Sequence, residues 1–196
     1  MRLAKQIGED ENPCYSRHIG VVIVDPVANK ILGTGYNGPP RDTPHCDSPD
    51  YLENVVWDQL QKNEKLKVIP EFSTLSDEVC KLMFVKQYAD CKMCPRRLIG
   101  APSGQRLEIC SCEHAERNAI YNASCCLHGA WMMCWCGIPC FDCTKAICQA
   151  GIKRIYTIDW GADYSHGSRY LFARRGVEVV QNLPEYYLNL EVGDST

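Results

Sequence analysis

Two short strings in the second half of the sequence contain residue types that hold a catalytic metal ion. The first is His114-Ala115-Glu116 and the second is Pro139-Cys140-Phe141-Asp142-Cys143. Two cysteines three positions apart at a helix start lie on one face, where the helix N-terminus favours the thiolates that a metal binds. One imidazole and two thiolates suit zinc and leave its fourth tetrahedral position open to water. An open position is typical of a catalytic site.

Glu116 provides the proton acceptor that such a site needs. Two thiolates cancel the charge of Zn²⁺, so bound water ionises with the help of a nearby carboxylate. A CxxC string alone is weak evidence for a metal site in a chain with 14 cysteines. Cys91-Lys92-Met93-Cys94 is a second CxxC string in the same sequence. The combination of His-x-Glu with Pro-Cys-x-x-Cys is far more specific and resembles the signature of zinc-dependent nucleobase deaminases.

Length and composition limit the class of protein. The 196 residues suit one domain, and 45% hydrophobic with 23% charged residues favour a soluble globular chain. A net charge of -3 argues against a nucleic-acid partner. Because no stretch approaches the roughly 18 apolar residues of a membrane span and the N-terminus lacks a signal-peptide pattern, we expect a cytoplasmic protein without a membrane partner.

The elements around the two strings alternate between strand and helix patterns. The runs 19–24 and 30–36 predict an opening β-hairpin. Later patterns predict helices at 113–126, 141–150 and 168–174 and strands at 130–136, 153–158 and 177–180, with Gly151 and Gly176 at helix ends. A hairpin followed by this alternation predicts an α/β fold, with a mixed sheet and helices on both faces.

The middle of the chain is less regular. Residues 37–48 are rich in turn formers and predict a loop, and two helical patterns follow between 49 and 90, the second with Ser76 as its N-cap. The segment from Cys91 to Cys112 contains too many cysteines, prolines and glycines for long regular elements. A bound metal would order it.

The order of the motifs resembles that of the deoxycytidylate deaminase family. The matching motifs are 19–24, Gly33-Thr34-Gly35-Tyr36-Asn37-Gly38, Arg41, His45-Cys46, 114–120, 139–143 and 150–156. The resemblance runs from about Cys14 to Val180, apart from an insertion-like segment at 47–90. It implies a single deaminase domain over 1–196 with the cytidine deaminase-like fold, a three-layer α/β/α sandwich around a five-stranded mixed sheet.

The resemblance also implies an activity, the hydrolysis of dCMP to dUMP and ammonia, which supplies dUMP for thymidylate synthesis. Zinc would be held by His114, Cys140 and Cys143, and Glu116 would transfer protons to N3 of the cytosine ring and to the departing amine. A homohexamer is implied as well, activated by dCTP and inhibited by dTTP at a separate site, where Mg²⁺ could accompany the triphosphate.

Nucleotide contacts are implied by the same resemblance. The substrate residues would be Asn37, Ser16, Arg17, Ala115 and Tyr156, and the effector residues Gly35, Tyr36, Gly38 and Arg41. From the residues alone, closely spaced glycines also fit a plain turn, and Tyr156 also fits half-buried strand packing. Arg117 occupies a position where relatives often carry a small or apolar residue, and it could face a subunit interface or the nucleotide.

Six other cysteines precede the His-Ala-Glu string: Cys14, Cys46, Cys91, Cys94, Cys110 and Cys112. Similar proteins include several with a second, structural zinc in this region. We expect Cys46, Cys94 and Cys110 to bind it, with Cys14 or Cys91 as the fourth ligand. The remaining cysteines outside the motif, which include Cys125 and Cys126, fall in core-like patterns.

Three alternatives stay open. The first is a deaminase of a related substrate, such as dCTP as well as dCMP, a free base or tRNA adenosine; the acidic balance argues against tRNA. The second is a zinc-stapled binding module that performs no reaction and is indifferent to Glu116. The third is a CxxC redox protein, but Pro95-Arg96-Arg97 after Cys94 does not provide the thioredoxin-like context that this reading needs.

Overall fold

The structure, a computed structural model, describes residues 1–61, 76–102, 104–158 and 166–181. Its elements, in chain order, are α1 (Arg2–Asp10), β1 (Gly20–Asp25), β2 (Lys30–Tyr36), α2 (Pro49–Tyr51), α3 (Trp57–Gln61), α4 (Asp77–Tyr88), α5 (Pro95–Leu98), α6 (Ala115–Asn122), β3 (Trp131–Cys134), α7 (Phe141–Ala150), β4 (Arg154–Thr157), α8 (His166–Arg175) and β5 (Glu178–Gln181). A π-helical turn, Leu52–Val56, joins α2 to α3, and a 3₁₀ turn, Leu107–Ile109, follows α5. Within these ranges, helices of the length and apolarity that a bilayer crossing requires are absent.

The chain forms two compact units. The first unit comprises 1–13, 18–37 and the described residues from 113 onward, and the second comprises 14–17 and 38–112. The described parts of the insertion-like segment, 47–61 and 76–90, therefore belong to the second unit. The prediction of one domain over 1–196 stays a prediction.

The first unit contains a five-stranded sheet in the order β2-β1-β3-β4-β5. β1 is antiparallel to β2 and β3, whereas β3, β4 and β5 run parallel. The Asp25 carboxylate closes the opening hairpin by accepting hydrogen bonds from Val27 N and Ala28 N at 2.8 and 3.0 Å. The predicted mixed sheet of the cytidine deaminase-like fold is confirmed.

Helices cover both faces of this sheet, because alternate strand residues point in opposite directions. Val21, Met132 and Ile155 are fully buried and belong to one core cluster with residues of α6, α7 and α8. Gly20 points the other way, toward α1, where a Cβ would lie 2.1 Å from Ala4 O. The sheet is thus the middle of three layers.

Helix α6 lies unusually close to β2, and glycines make this possible. A Cβ on Gly35 would lie 2.3 Å from both Ala115 O and Ala119 N, and one on Gly33 would lie 2.5 Å from Ala119 O. These are backbone atoms that cannot rotate away. The glycines of the Gly-Thr-Gly-Tyr string therefore place the first turn of α6, which follows His114, against the sheet.

We expect Gly35→Ala to destabilise the first unit by at least about 1–3 kcal/mol, because overpacking moves α6 away from β2. Chemical denaturation measures the change in unfolding free energy. Thr34→Ala, on the opposite face of the same strand, is the control and should cost less. Equal stability of Gly35→Ala and wild type would contradict the close approach.

Several element boundaries differ from the sequence predictions. Helix α1 was not predicted, although Ala4 and Gly8, its two buried residues, are four positions apart. Helix α6 ends at Asn122 rather than 126, because Ala123 adopts an extended backbone with ψ 131. Consequently Cys125 and Cys126 lie exposed in a loop, and their expected core placement was wrong.

The second unit has its own small core. Leu52, Val56 and Leu60 pack with Phe84 of α4, whose ring is 5.5 Å from that of Trp57. Ser76 caps α4 by accepting from Val79 N, as predicted. Both predicted helical regions are therefore confirmed in the described residues, but the predicted apolar face of α4 was wrong, since Val79, Leu82 and Met83 are exposed and the helix buries Cys80 and Phe84 instead.

Candidate metal centre

The three proposed ligands meet where α6 and α7 begin. His114 is the N-cap of α6 and Cys140 the N-cap of α7, with Cys143 in the first turn of α7. His114 Nδ1 lies 3.5 Å from Cys140 Sγ and 3.4 Å from Cys143 Sγ. The ligand atoms of all three residues lie within 4.8 Å of one another. The structure thus brings together two strings that are far apart in the sequence.

The proton affinities of these three groups are strongly coupled. Hydrogen bonds from Cys143 and His114 lower the pKa of the Cys140 thiol to about 4. The hydrogen bond to Cys140 raises the pKa of His114 to about 9, and the bond to Cys140 together with burial raises the pKa of Cys143. At neutral pH the triad therefore already contains a thiolate, the form in which cysteine binds metals.

Glu116 lies in the first turn of α6 with only 3% of its surface exposed. Its Oε1 is 4.0 Å from Cys136 Sγ, while its buried Oε2 meets no hydrogen-bond partner among the described residues. Burial raises the pKa of this carboxyl. Since buried polar atoms are normally paired, the unpartnered oxygen points to a ligand or water at this position.

Glu113 and Arg117 support the start of α6. The Glu113 carboxylate accepts a hydrogen bond from His114 N at 2.7 Å and forms an ion pair with Arg117, one turn further along the helix. Arg117 also exerts an electrostatic effect on Cys143 that opposes the rise in the pKa of that thiol. The ion pair with Glu113 thus gives a structural partner to Arg117, the residue that the sequence left unexplained.

Asn37 and Ala115 lie at the same end of the first unit as the triad. Asn37 follows β2 and is 5% exposed, and its Oδ1 meets no hydrogen-bond partner within the described ranges. Ala115 is fully buried between His114 and Glu116, and its carbonyl faces Gly35, two residues before Asn37. Asn37 Oδ1 is thus, like Glu116 Oε2, a buried oxygen without a hydrogen-bond partner in the part of the chain that the structure describes.

The other predicted nucleotide contacts are placed differently. Tyr156 lies on the α1 side of the sheet, opposite to Ile155, where its hydroxyl accepts a hydrogen bond from Arg154. Tyr36 is partly exposed, and its carbonyl accepts a hydrogen bond from Asn118 Nδ2 at 2.8 Å. The remaining contacts belong to the second unit and are Ser16, Arg17, Gly38 and Arg41.

Four cysteines come together in the second unit, centred on Cys112. Its thiol hydrogen bonds with those of Cys110, Cys14 and Cys46, and these bonds raise its pKa. The bond with Cys112 lowers the pKa of Cys110 to about 6 and also lowers that of Cys46. Cys94 is instead the buried N-cap residue of α5. The sulfur contacts favour Cys112 over Cys94 as a member of this cluster.

Sequence reasoning missed the residues that support the ligands. Cys136 beside Glu116, and Ser168 and Thr144 beside Pro139, carry no motif of their own. Their role depends on packing between separate elements, which spacing does not indicate. Cys112 was among the candidates, and the Cys110-Ser111-Cys112 spacing was the available signal.

Comparison with known families agrees with this geometry. The family model "cytidine and deoxycytidylate deaminase zinc-binding region" matches residues 1–159. The chain belongs to this deaminase family. It therefore shares with the family the region in which His114, Glu116, Cys140 and Cys143 lie.

Individual relatives of this chain are named deoxycytidylate deaminases. This deaminase-family chain is 30% identical over 186 residues to the deoxycytidylate deaminase of Enterobacteria phage T4, a match covering 91% of this chain and 86% of the relative. It is 27% identical to the deoxycytidylate deaminase of Schizosaccharomyces pombe over 94% of this chain, but it spans 43% of that protein's length.

A solved structure supports the fold. The crystal structure of dCMP deaminase from the cyanophage S-TIM5 in complex with dCMP and dUMP superposes with a TM-score of 0.52, covering 92% of this chain and 91% of that one. At 20% identity this likeness shows the shared fold alone.

Proposed function

We propose that this deaminase-family chain hydrolyses dCMP to dUMP and ammonia. The observation that carries the proposal is the buried Glu116 carboxylate with an unpartnered oxygen, next to an imidazole and two thiols that converge. The relatives from phage T4 and fission yeast that match along most of this chain are named deoxycytidylate deaminases, which supports dCMP as the substrate.

His114, Cys140 and Cys143 fit a zinc ion. Their donor set is the one that zinc prefers, and three protein ligands leave one position of a tetrahedron for water. When bound, zinc supplies the Lewis acid that makes this water acidic. Glu116 Oε2 supports the fit, because the carboxylate then has a partner that the described residues do not provide.

Glu116 moves the protons of the reaction. Its carboxylate accepts a proton from the attacking water as the water oxygen adds to C4 of the pyrimidine, and it delivers this proton to N3. The carboxylate then takes the proton of the new C4 hydroxyl and transfers it to the 4-amino group, so that the C4–O bond becomes a carbonyl, the C4–N bond breaks and ammonia leaves. Because Glu116 is nearly inaccessible to solvent, bulk water does not compete for these transfers.

Asn37 is proposed to bind the nucleotide, because its buried Oδ1 lacks a partner within the described ranges and Gly35 places β2 against Ala115. Tyr156 stays a predicted substrate contact on the strength of the resemblance, with its side chain on the face of the sheet opposite to Ile155. The family resemblance extends the proposal to Ser16 and Arg17 for the phosphate. It likewise extends to Gly35, Tyr36, Gly38 and Arg41 for an effector triphosphate with Mg²⁺.

A substrate panel tests the proposed activity. The purified chain is incubated with dCMP, dCTP, CMP, cytidine and guanine, and the products are separated while ammonia is measured. Formation of dUMP and ammonia in equal amounts from dCMP, with the other substrates slower, is the expected result. Turnover of a different substrate in preference to dCMP would replace the proposed substrate, and the absence of turnover on all five would overturn the proposed activity.

A second zinc is proposed for the cysteine cluster of the second unit, with Cys14, Cys46, Cys110 and Cys112 as ligands. Four thiols form a closed set typical of structural zinc, and Cys112 contacts the other three sulfurs. Among the described residues, the His114 triad alone has its ligand atoms all within 4.8 Å of one another. Metal binding at the cysteine cluster therefore requires the sulfurs to move closer together around the ion.

We expect Cys112→Ser to lower the zinc content from about two ions per chain to about one, because a serine hydroxyl is a poor zinc ligand. Elemental analysis measures the content, and thermal unfolding should show a lower melting temperature. Cys91→Ser, an exposed neighbour in sequence, is the control. Equal zinc content in Cys112→Ser and wild type would exclude this ligand set.

The resemblance further supports a homohexamer in the cytoplasm whose activity rises with dCTP and falls with dTTP. These properties form part of the proposal. Sedimentation analysis of the purified chain and assays with each triphosphate would measure them.

A further inference from the structure

The carbonyl oxygen of Pro139, the residue before the metal ligand Cys140, accepts two hydrogen bonds from buried side chains. Ser168 Oγ in α8 donates at 2.9 Å, and Thr144 Oγ1 in α7 donates at 3.3 Å. Neither Ser168 nor Thr144 has any exposed surface. Two hydroxyl donors from different helices therefore converge on one backbone atom beside the metal triad.

Two donors on one carbonyl determine the orientation of the peptide plane. A carbonyl oxygen has two lone pairs, and both are used here. Because the peptide between Pro139 and Cys140 is planar, fixing its oxygen also fixes its nitrogen, which belongs to Cys140. The direction of the Cys140 Cα–Cβ bond, and with it the position of Sγ, is thereby restricted.

Hydrogen bonds from other residues hold the turn at Cys140, because the Cys140 side chain itself does not hold it. Cys140 is the N-cap of α7, yet its side chain makes no capping hydrogen bond, and its Sγ faces His114 instead. Thr144 N does bond to Cys140 O at 2.9 Å, which closes the first helical turn on the other side of the residue. The Ser168 and Thr144 hydroxyls act on the other side of Cys140, at the Pro139 carbonyl, and therefore hold the turn in a different way from a serine or aspartate cap, which accepts from helix N–H groups.

Helix α8 packs closely enough against this turn to deliver Ser168. A Cβ on Gly167 would lie 3.1 Å from the Phe141 ring, so the start of α8 lies directly against the residue that follows Cys140. This contact is independent of the hydrogen bond and places the two helix starts side by side.

We propose that Ser168 and Thr144 are positioning residues of the metal centre, which hold the Pro139 carbonyl and thereby orient the Cys140 sulfur toward the metal. This inference rests on the proposed zinc site at His114, Cys140 and Cys143. Partners that orient metal ligands typically contribute about 10–100-fold to metal affinity.

The test measures zinc release to a chelator from wild type, Ser168→Ala, Thr144→Val and the double variant. The phase of release that is absent in Cys143→Ser identifies the zinc of the triad. We expect an affinity loss of about tenfold in each single variant and of up to about 100-fold in the double variant. Thr144→Ser keeps the hydroxyl and should retain the affinity of wild type.

A matched control separates positioning from general stability. Thr157 in β4 is equally buried, but its Oγ1 meets no hydrogen-bond partner among the described residues. Thr157→Val should therefore leave zinc affinity unchanged. Unfolding of the metal-free proteins is measured in parallel, and the affinity loss in the positioning variants should exceed any loss of metal-free stability.

The outcomes distinguish this inference from the proposed function. Equal zinc affinity at the triad in wild type and the double variant would overturn this inference alone. A loss of zinc affinity in Thr157→Val as large as that in the positioning variants would do the same. A wild-type chain that holds no zinc at the triad overturns the proposed function and this inference together.

Discussion

Replacement of Glu116 by glutamine is expected to lower kcat for dCMP by about 10²–10⁴-fold while zinc content and fold persist. Glutamine fills the same space in α6 but does not accept a proton from the attacking water. The stability of the folded chain should not fall, because the substitution removes a buried carboxyl whose Oε2 is unpartnered within the described residues. Steady-state kinetics, elemental analysis and thermal unfolding on one preparation measure all three quantities.

Glu178→Gln is the matched control, since this glutamate lies exposed on β5, where it pairs with Arg154. It should retain the kcat of wild type. If Glu116→Gln turned over dCMP at the wild-type rate, the assignment of proton transfer to this carboxylate would be wrong, and a zinc-stapled binding module would gain support.

The second large effect is expected for Cys143→Ser. Cys143 is fully buried in the first turn of α7, with its sulfur 3.4 Å from His114 Nδ1. A serine hydroxyl does not ionise at neutral pH, so the site loses a thiolate ligand. We expect a fall in zinc affinity beyond the roughly 100-fold that the loss of an outer partner causes, and deamination should be abolished.

Cys126→Ser is the control for this substitution, because Cys126 is exposed in the loop after α6. It should keep both zinc and activity. Zinc content and turnover are measured after dialysis against a weak chelator. Retention of the triad zinc in Cys143→Ser would contradict the ligand assignment, even if activity were lost for another reason.

The convergence of His114, Cys140 and Cys143 could be predicted from the sequence because each half of the group is local. The His-Ala-Glu string and the Pro-Cys-x-x-Cys string each contain their own helix start, and an α/β fold brings helix starts together at one end of the sheet. The alternation of apolar patterns was equally sufficient to predict a mixed sheet with helices on both faces. The two motifs and the predicted fold thus agreed on where the helix starts lie.

The cysteine cluster was harder to predict because six sulfurs could form many combinations. Cys94 is close to the others in sequence and is the N-cap residue of α5, a position that His114 and Cys140 also occupy in their own helices, so its place in the chain did not distinguish it from Cys112. The Cys112 thiol hydrogen bonds with Cys14 and Cys46, which come from distant segments, as well as with its neighbour Cys110. Such contacts depend on loop geometry, for which neither periodicity nor turn chemistry provides a rule.

Interactions that cross between elements were also beyond sequence reasoning. Whether Tyr156 faces α1 or α7 depends on the strand register, since a shift of one residue reverses the face. The donation from Ser168 to Pro139 likewise depends on how closely α8 packs at Gly167. These features follow from tertiary packing.

Anomalous diffraction at the zinc edge from crystals of the zinc-loaded chain is the most direct test of the metal centre. We expect one zinc bonded to His114, Cys140 and Cys143, with a water molecule as the fourth ligand and the Glu116 carboxylate within hydrogen-bond distance of that water. A fourth ligand contributed by the protein, or Glu116 bonded to the ion itself, would contradict the account.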